Sequence, residues 1–370
     1  MQRILIKTTI PFTEDDWHVG RFSLLQQHLR SFTDTSGKPL YEVDARDRVA
    51  NHANCDVDLL AAGEGAYDQV WLIGVDSTGA LTPGDTDAID RFRHSGGGLL
   101  LTRDHQDLGS SLCTISVIGA TQHFQRANPE SDRSRHCIDD AESLQISWPN
   151  YHSGCNGDAQ RILVAQPLHP LMERTRGGAL EWLPAHPHEG VVSVPTEVAE
   201  VARVVATGRS LRTGNTFNLI VVVEAGERSG GGRVVADSSF HHFCDCNWDP
   251  AAGAPSFVDE PWGDGMRSPD AHADARRYVE NIATWLGSSR GPGPLTPEVR
   301  RLKRFTRRHE RAPEACRAAG SNRATSLRQN RWMERSNLTT SPRGKTRAGV
   351  GFSIETKIRQ SGLINLTHLM

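Results

Sequence analysis

The sequence has none of the close cysteine pairs that hold zinc ribbons together or cross-link small secreted domains. Its seven cysteines are an odd number, scattered at positions 55, 113, 137, 155, 244, 246 and 316, with no C-x-x-C pair among them. This spacing indicates neither a zinc ribbon nor a disulfide scaffold. It favours reduced thiols, and we therefore expect a cytoplasmic protein.

The sequence also lacks long hydrophobic runs. No apolar stretch approaches the twenty or so residues that a membrane-spanning helix needs. The first apolar stretch, at residues 3–10, is too short and too interrupted for a signal peptide. We therefore expect no membrane partner. The expected partner is a small-molecule substrate, for the reasons given below, and the oligomeric state stays open.

Acidic and basic residues are unevenly divided along the chain. Residues 290–370 contain 18 Lys and Arg against 5 Asp and Glu, whereas the remainder contains 24 against 39. The basic part shows no sustained apolar periodicity, so it cannot bury enough surface to offset its chain entropy. We expect a folded domain over residues 1–288 and a basic, disordered extension over residues 289–370.

The basic extension has two interpretations. Its charge could bind nucleic acid or another anionic surface. However, it contains few aromatic residues and no binding motif. A non-native or frameshifted end is the alternative, and nothing in the rest of the chain points to a nucleic-acid partner.

The first hundred residues alternate between strand and helix patterns. Residues 3–10 and 70–75 are rich in apolar and β-branched residues, as in buried strands. Thr82 and Pro83 suit the N-cap and first turn of a helix that ends at Gly96. The predicted order β-α-β-β-α-β implies a layered α/β fold with a mainly parallel sheet.

The second half of the chain returns to regular patterns after an irregular, polar middle. Strand patterns occur at 180–185 and 201–206. Residues 217–224 and 233–238 flank a Gly- and Ser-rich turn, which predicts a hairpin. Residues 271–286 place apolar side chains at helical spacing and predict a closing helix.

Three apolar segments end in histidine and carboxylate side chains. Leu99 to Leu101 is followed by Thr-Arg-Asp-His-Gln-Asp, the segment at 180–185 by His-Pro-His-Glu, and the segment at 233–238 by a His-His pair. Ligands of open α/β sheets bind just beyond the carboxyl ends of strands. Histidine titrates near physiological pH and, with carboxylates, suits general base catalysis or binding of Zn²⁺, Mn²⁺ or Fe²⁺.

The layout resembles the class I glutamine amidotransferase-like superfamily, and within it the ThuA-like branch, named for trehalose utilisation. The resemblance spans residues 1–288. It is carried by the helix at 85–94 with its glycine-rich strand, by Gly-Arg-Val-Val-Ala-Asp-Ser-Ser-Phe-His-His at 232–242, and by Tyr-Val-Glu-Asn-Ile-Ala-Thr-Trp-Leu at 278–286. It implies a flavodoxin-like three-layer sandwich. The loops at 110–178 look unlike those of typical members, which fits a separate bacterial group.

The resemblance also bears on the chemistry. Glutaminases of this superfamily carry a Cys nucleophile in a C-x-G-H-Q turn after a strand, but residues 102–106 here read Thr-Arg-Asp-His-Gln. Because a threonine hydroxyl, unlike a thiol, is hardly ionised near neutral pH, glutamine hydrolysis by the family mechanism is not expected. The His-Pro-His-Glu segment is similar to the family's H-P-E element, with an inserted histidine.

These observations predict a hydrolase-like enzyme that acts on a small polar, carbohydrate-related substrate through histidine and carboxylate groups, with a divalent metal as candidate cofactor. A non-catalytic sensor or binding domain on the same scaffold is the alternative. Expected catalytic residues are Asp104, His105, His186, His188, Glu189 and His241, and His186, His188 and His241 are the candidate metal ligands. Expected substrate-binding residues are Thr102, Arg103, Asp107, Trp148, Tyr151 and His152.

Several of these residues also have plain structural interpretations. Asp107 could simply cap a helix N-terminus. His186 to Glu189 could be a polar turn, and 148–152 an ordinary loop. Because consecutive strand residues face opposite sides, we expect only one of His241 and His242 at the site, and His241 lies nearer the strand end.

Overall fold

The structure is a computed structural model that describes residues 1–77, 79–105, 107–122, 138 and 150–288. Its strands are β1 Gln2–Thr8, β2 Tyr41–Arg46, β3 Gln69–Ile73, β4 Gly98–Thr102, β5 Ala159–Arg161, β6 Leu163–Val164, β7 Trp182–Pro184, β8 Ala202–Arg209, β9 Thr216–Val223 and β10 Val234–Asp237. Its α-helices are α1 Ser23–Arg30, α2 Val57–Gly63, α3 Pro83–His94, α4 Asp245–Trp248 and α5 Pro269–Gly287.

Eight of these strands form one sheet in the order β2-β1-β3-β4-β10-β9-β8-β6. The first five are mutually parallel, and the last three add antiparallel pairs. The parallel part follows the flavodoxin-like order, in which the second strand lies outside the first. The predicted α/β class with a mainly parallel sheet is therefore confirmed.

Alternate residues of the central strands feed two separate cores. Ile4 and Ile6 point into a core that includes α1 and α5, whereas Leu5 between them points into a core with α2 and α3. This alternation follows from the two-residue period of a strand, which presents opposite faces in turn. Helices cover both faces of the sheet, which gives the three layers.

The longer predicted elements agree with the structure. The helix predicted after Thr82 is α3, and Thr82 and Asp85 form a reciprocal capping box at its N-terminus. The predicted hairpin is the antiparallel pair β9 and β10, and the predicted closing helix is α5.

Two elements differ from the sequence prediction. α2 lies between the second and third strands, where no helix is predicted; it has only seven residues, too few for a clear periodic pattern, although Asp56 caps it. The strand predicted at 180–185 is β7, which pairs with β5 in a separate two-stranded sheet. Apolar content indicates a strand but not its pairing partner.

No helix among the described residues is long and apolar enough to cross a membrane. The predicted boundary at 288 and 289 falls where the described part of the chain ends, so the basic extension lies outside it.

Candidate functional site

The carboxyl ends of β4 and β10 lie side by side, because Thr102 pairs with Asp237 in the parallel register. The chain leaves β4 through Arg103 and Asp104, and both side chains are buried. Arg103 donates from Nε to the Leu108 carbonyl at 3.0 Å and from Nη1 to the Gln122 carbonyl at 2.8 Å. These bonds brace the turn that carries Asp104.

Asp104 lies at the centre of a group of histidines. Its Oδ1 is 3.2 Å from Nε2 of His186, and its Oδ2 is 3.1 Å from Nδ1 of His105. Nε2 of His241 approaches Oδ2 to 3.6 Å from the β10 side. Asp104, His186 and His241 come from three segments that are far apart in sequence, and the fold brings all of them within direct reach.

The imidazole rings pack against one another around this carboxylate. His188 lies edge-on to His105 and to His186, with ring centroids 4.1 Å and 4.2 Å away. His186 stacks on His241 with the centroids 3.7 Å apart. Such packing allows the ring nitrogens to converge on one point.

Four residues of this cluster have the composition of a metal-binding site. Asp104, His105, His186 and His188 each offer one donor atom, and these atoms all lie within 4.8 Å of one another. We call these four residues the Asp104 centre. Mixed histidine and carboxylate donors suit Zn²⁺, Mn²⁺ or Fe²⁺.

Unpaired donor atoms provide a test of whether the residues fit a metal. Oδ1 of Asp104, Nδ1 of His105 and Nε2 of His186 are buried, and none makes a hydrogen bond within the described chain. Oδ1 of Asp104 and Nε2 of His186 face each other at 3.2 Å, and Nδ1 of His105 lies 3.1 Å from the other carboxylate oxygen. Buried polar atoms are almost always satisfied, so three unsatisfied atoms around one point fit a bound cation.

Two asparagines hold rings of the site from behind. Nδ1–H of His186 donates to Oδ1 of Asn156 at 3.1 Å, and Nδ1–H of His241 donates to Oδ1 of Asn247 at 2.8 Å. Asn247 in turn donates from Nδ2 to Asn156 at 3.1 Å. Each bond fixes the proton on Nδ1, so that Nε2 of His186 is left as a donor atom for a metal.

Burial and neighbouring charges set the protonation states. Burial alone raises the pKa of Asp104, but the His105 and His186 imidazoles outweigh it and hold the pKa well below the usual value. Burial, with the rings of His241 and His188, lowers the pKa of His186 well below its usual value. An ionised carboxylate beside a neutral imidazole is the state that a metal requires.

His241 behaves differently from His186. Burial lowers its pKa, but the facing Asp104 carboxylate more than compensates, so the pKa lies above the usual value. His241 is not among the four converging residues. His241 nevertheless faces Asp104 directly from the β10 side, and its assignment as a metal ligand stays a prediction.

Glu189 lies in a second buried cluster with His242, not among the four converging residues, and its catalytic role stays a prediction. Its Oε1 is 2.9 Å from Nε2 of His242, whose Nδ1 is 2.7 Å from Asp237. Ser153 and Gln160 donate to the other oxygen of Glu189 at 2.7 Å and 2.8 Å. Burial opposes the charge of His242, but the two carboxylates raise its pKa to about 10.

The expectation that only one of His241 and His242 faces the site assumed that both lie in a strand, but they do not. β10 ends at Asp237, and the two histidines lie in a short 3₁₀ helix, Phe240–His242. Both are buried. They diverge because consecutive residues of a helix point in different directions, one toward Asp104 and the other toward Glu189.

Two expected substrate-binding residues are part of the packed interior. Thr102 is the last residue of β4 and is fully buried. Tyr151 is fully buried too, and its ring stacks on Phe217 with centroids 4.5 Å apart. Arg103 is buried as well and braces the turn after β4, so a substrate-binding role for these three residues stays a prediction.

The other expected substrate-binding residues have varied surroundings. His152 is buried, with Nδ1 3.0 Å from the Pro187 carbonyl, beside the His186–His188 segment. Asp107 is half-buried in the turn after β4. Trp148 lies outside the described residues.

Sequence reasoning missed Asn156, Asn247 and Glu260. Glu260 is half-buried in the segment before α5, and its Oε1 is 3.8 Å from Nε2 of His188. No spacing or strand-end signal marks these residues. Their positions depend on how separate loops pack together.

No protein-family model matches the sequence, and no curated protein matches it. A solved structure from Thermoplasma acidophilum, assigned to GMP synthase as one of its subunits, is 8% identical. The likeness covers 77% of this chain and 96% of that one at a TM-score of 0.32.

The glutaminase domain of Trypanosoma brucei CTP synthase, solved with bound acivicin, is a second likeness. It is 12% identical, with 79% of this chain and 99% of that one covered at a TM-score of 0.35. Because both scores are low, the fold assignment rests on the strand order and on the two cores.

Proposed function

We propose that this protein is a hydrolase-type enzyme whose Asp104 centre binds a divalent metal ion. The observation that carries the proposal is the convergence of four donor atoms, within 4.8 Å of one another, from the segments after β4 and β7. One buried atom each of Asp104, His105 and His186 makes no hydrogen bond within the described part of the chain. Support also comes from the ionised Asp104 beside a neutral His186.

The proposed chemistry uses no cysteine nucleophile. β4 ends with Thr102 at the position where glutaminases have a thiol, and Thr102 is fully buried. A bound divalent metal lowers the pKa of its water ligand and so supplies a nucleophile near neutral pH. Asp104 and the histidines would hold the ion, Asn156 orients His186, and Glu260, 3.8 Å from His188, is the nearby carboxylate that would accept a proton.

The proposed substrate is a small polar molecule. Its assignment to the carbohydrate class rests on the resemblance to ThuA-like proteins alone, and membership of that branch stays a prediction. The proposed location at the carboxyl edge of the sheet agrees with the general rule for open α/β folds.

Metal titration of the purified full-length protein tests the proposal. After chelation and dialysis, we expect one Zn²⁺ or Mn²⁺ to rebind per chain. Asp104→Asn and His186→Ala should weaken binding by more than about 100-fold, because even outer partners of metal ligands are worth 10- to 100-fold. His52→Ala is the matched control, since His52 is exposed.

Two results would decide against the proposal. Absence of saturable binding would reject the metal centre, and so would equal affinity in His186→Ala. Hydrolysis of p-nitrophenyl esters, phosphates and glycosides by the metal-loaded protein tests the enzyme class. Metal binding at the Asp104 centre without any turnover would favour the alternative, a sensor or binding domain.

A further inference from the structure

Cys244 and Cys246 form a close pair of thiols next to His241, whose Nδ1 lies 3.9 Å from Cys244 Sγ. Their Sγ atoms are 3.4 Å apart, and both side chains are buried. Cys244 is the N-cap residue of α4, and Cys246 lies in that helix. Both cysteines are free.

Both thiols face the amide oxygen of Asn247. Cys244 Sγ donates to Oδ1 at 2.9 Å, and Cys246 Sγ lies 3.6 Å from the same atom. His241 donates to this oxygen as well. The Asn247 Nδ2 group donates to Asn156 and to the Ala185 carbonyl. The amide is therefore fixed at both ends, with the thiols on its oxygen side.

We propose that Cys244 and Cys246 form a reversible disulfide, and that this bond loosens the Asp104 centre through Asn247. The first part stands on the thiol pair alone, whereas the second rests on the proposed metal-binding function.

The oxidant required is a hydroperoxide, with H₂O₂ as the simplest. The Cys246 thiolate attacks the O–O bond, which breaks to give a sulfenic acid and, after protonation, one water. Cys244 sulfur then attacks the sulfenic sulfur, so that the S–S bond forms, the S–O bond breaks and a second water leaves. Two thiols are oxidised and one peroxide is reduced.

The geometry requires only a small local change. A disulfide has sulfurs about 2.05 Å apart, so the pair must approach by about 1.4 Å. The segment is well placed to yield, because α4 has only four residues and is followed by the exposed residues 251–253. The buried sulfurs become accessible when such a short element opens locally.

Disulfide formation removes the thiol hydrogen that Cys244 gives to Asn247 and shifts the first turn of α4. Asn247 then no longer holds Asn156, whose oxygen fixes Nδ1–H of His186. Loss of such an orienting partner typically weakens metal binding by 10- to 100-fold. The oxidised protein should therefore bind Zn²⁺ more weakly than the reduced protein.

Peptide mapping of the full-length protein tests the first part. After treatment with a small excess of H₂O₂ and blocking with N-ethylmaleimide, the tryptic peptide 234–267 should be lighter by two hydrogens and carry no maleimide. Dithiothreitol should restore both labelling sites. A peptide that stays doubly labelled, or that gains two oxygens on one cysteine, would overturn the proposal.

Zn²⁺ titration before and after oxidation tests the second part. We expect affinity to fall at least 10-fold in the wild type and not to respond to H₂O₂ in Cys244→Ser or Cys246→Ala. Cys155→Ser, which alters a half-buried thiol in another segment, should behave as the wild type. A disulfide with unchanged affinity would reject the coupling, whereas reduced protein that binds no Zn²⁺ would reject the proposed function and leave the mapped disulfide standing.

Discussion

Asp104 and His242 show that burial does not by itself decide the charge of a side chain. Both are almost fully buried, and burial disfavours the charged form of each. Asp104 stays ionised because imidazoles face it. His242 stays protonated because Asp237 and Glu189 face it from opposite sides.

The amide of Asn156 should matter for metal affinity more than for folding. Asn156→Leu removes the oxygen that fixes Nδ1–H of His186, so Zn²⁺ affinity should fall by 10- to 100-fold. The matched control is Asn281→Leu, which removes another buried amide, bonded to the Leu171 and Glu173 carbonyls. Calorimetric titration and chemical denaturation should separate the two: Asn281→Leu lowers stability with affinity intact. Equal affinities in both variants would contradict the role of Asn156.

His242 should make stability depend on pH in the alkaline range. Its pKa is about 10 in the folded protein and about 6.5 in an unfolded chain. The stabilisation is therefore complete below about pH 6.5 and is lost as the pH rises toward 10. The free energy of unfolding should fall between pH 7 and pH 9.5. This fall should be larger in the wild type than in His242→Gln, by more than about 1 kcal/mol. Urea denaturation at each pH measures this difference, and parallel profiles would refute it.

At the scale of elements, local signals account for α3 and α5 but not for the pairing of β7. α3 begins with a capping box and a proline in its first turn, which are features of short-range sequence. β7 pairs with β5 rather than with the main sheet. That choice depends on the irregular middle of the chain, whose residues carry no periodic pattern.

The capping box of α3 can be tested directly. Thr82 accepts a hydrogen bond from the Asp85 amide, and Asp85 accepts one from the Thr82 amide. Thr82→Ala should lower the free energy of unfolding by about 1 kcal/mol. Thr86→Ala, which loses only an exposed bond to the Pro83 carbonyl, is the control and should change stability little. A Thr82→Ala protein as stable as this control would show that the cap contributes nothing.

At the scale of the whole molecule, charge separates the chain into two parts. The net charge of −2 conceals a basic stretch at 290–370 and an acidic remainder. α5 ends at Gly287, and its apolar residues complete the core shared with α1. Within the described residues, α5 is therefore the last element of that core.

Deletion of residues 289–370 should leave the domain folded. We expect the same thermal unfolding midpoint and the same Zn²⁺ affinity as in the full chain, measured by circular dichroism and calorimetric titration. A lower midpoint would show that the extension packs on the domain. If the full chain binds DNA with steep salt dependence and the deletion abolishes it, the extension is a nucleic-acid tether.

Sequence alone determined the parallel α/β core, the helices with strong caps or long amphipathic faces, and the three strand ends at which histidines cluster. These features follow from local periodicity and capping, which are written in neighbouring residues. The tertiary structure decided that Asp104, His105, His186 and His188 converge, that His241 faces Asp104 while Glu189 belongs with His242, and that Asn156 and Asn247 hold the rings. Those contacts join segments remote in sequence, and they depend on loop paths and side-chain packing that no local pattern encodes.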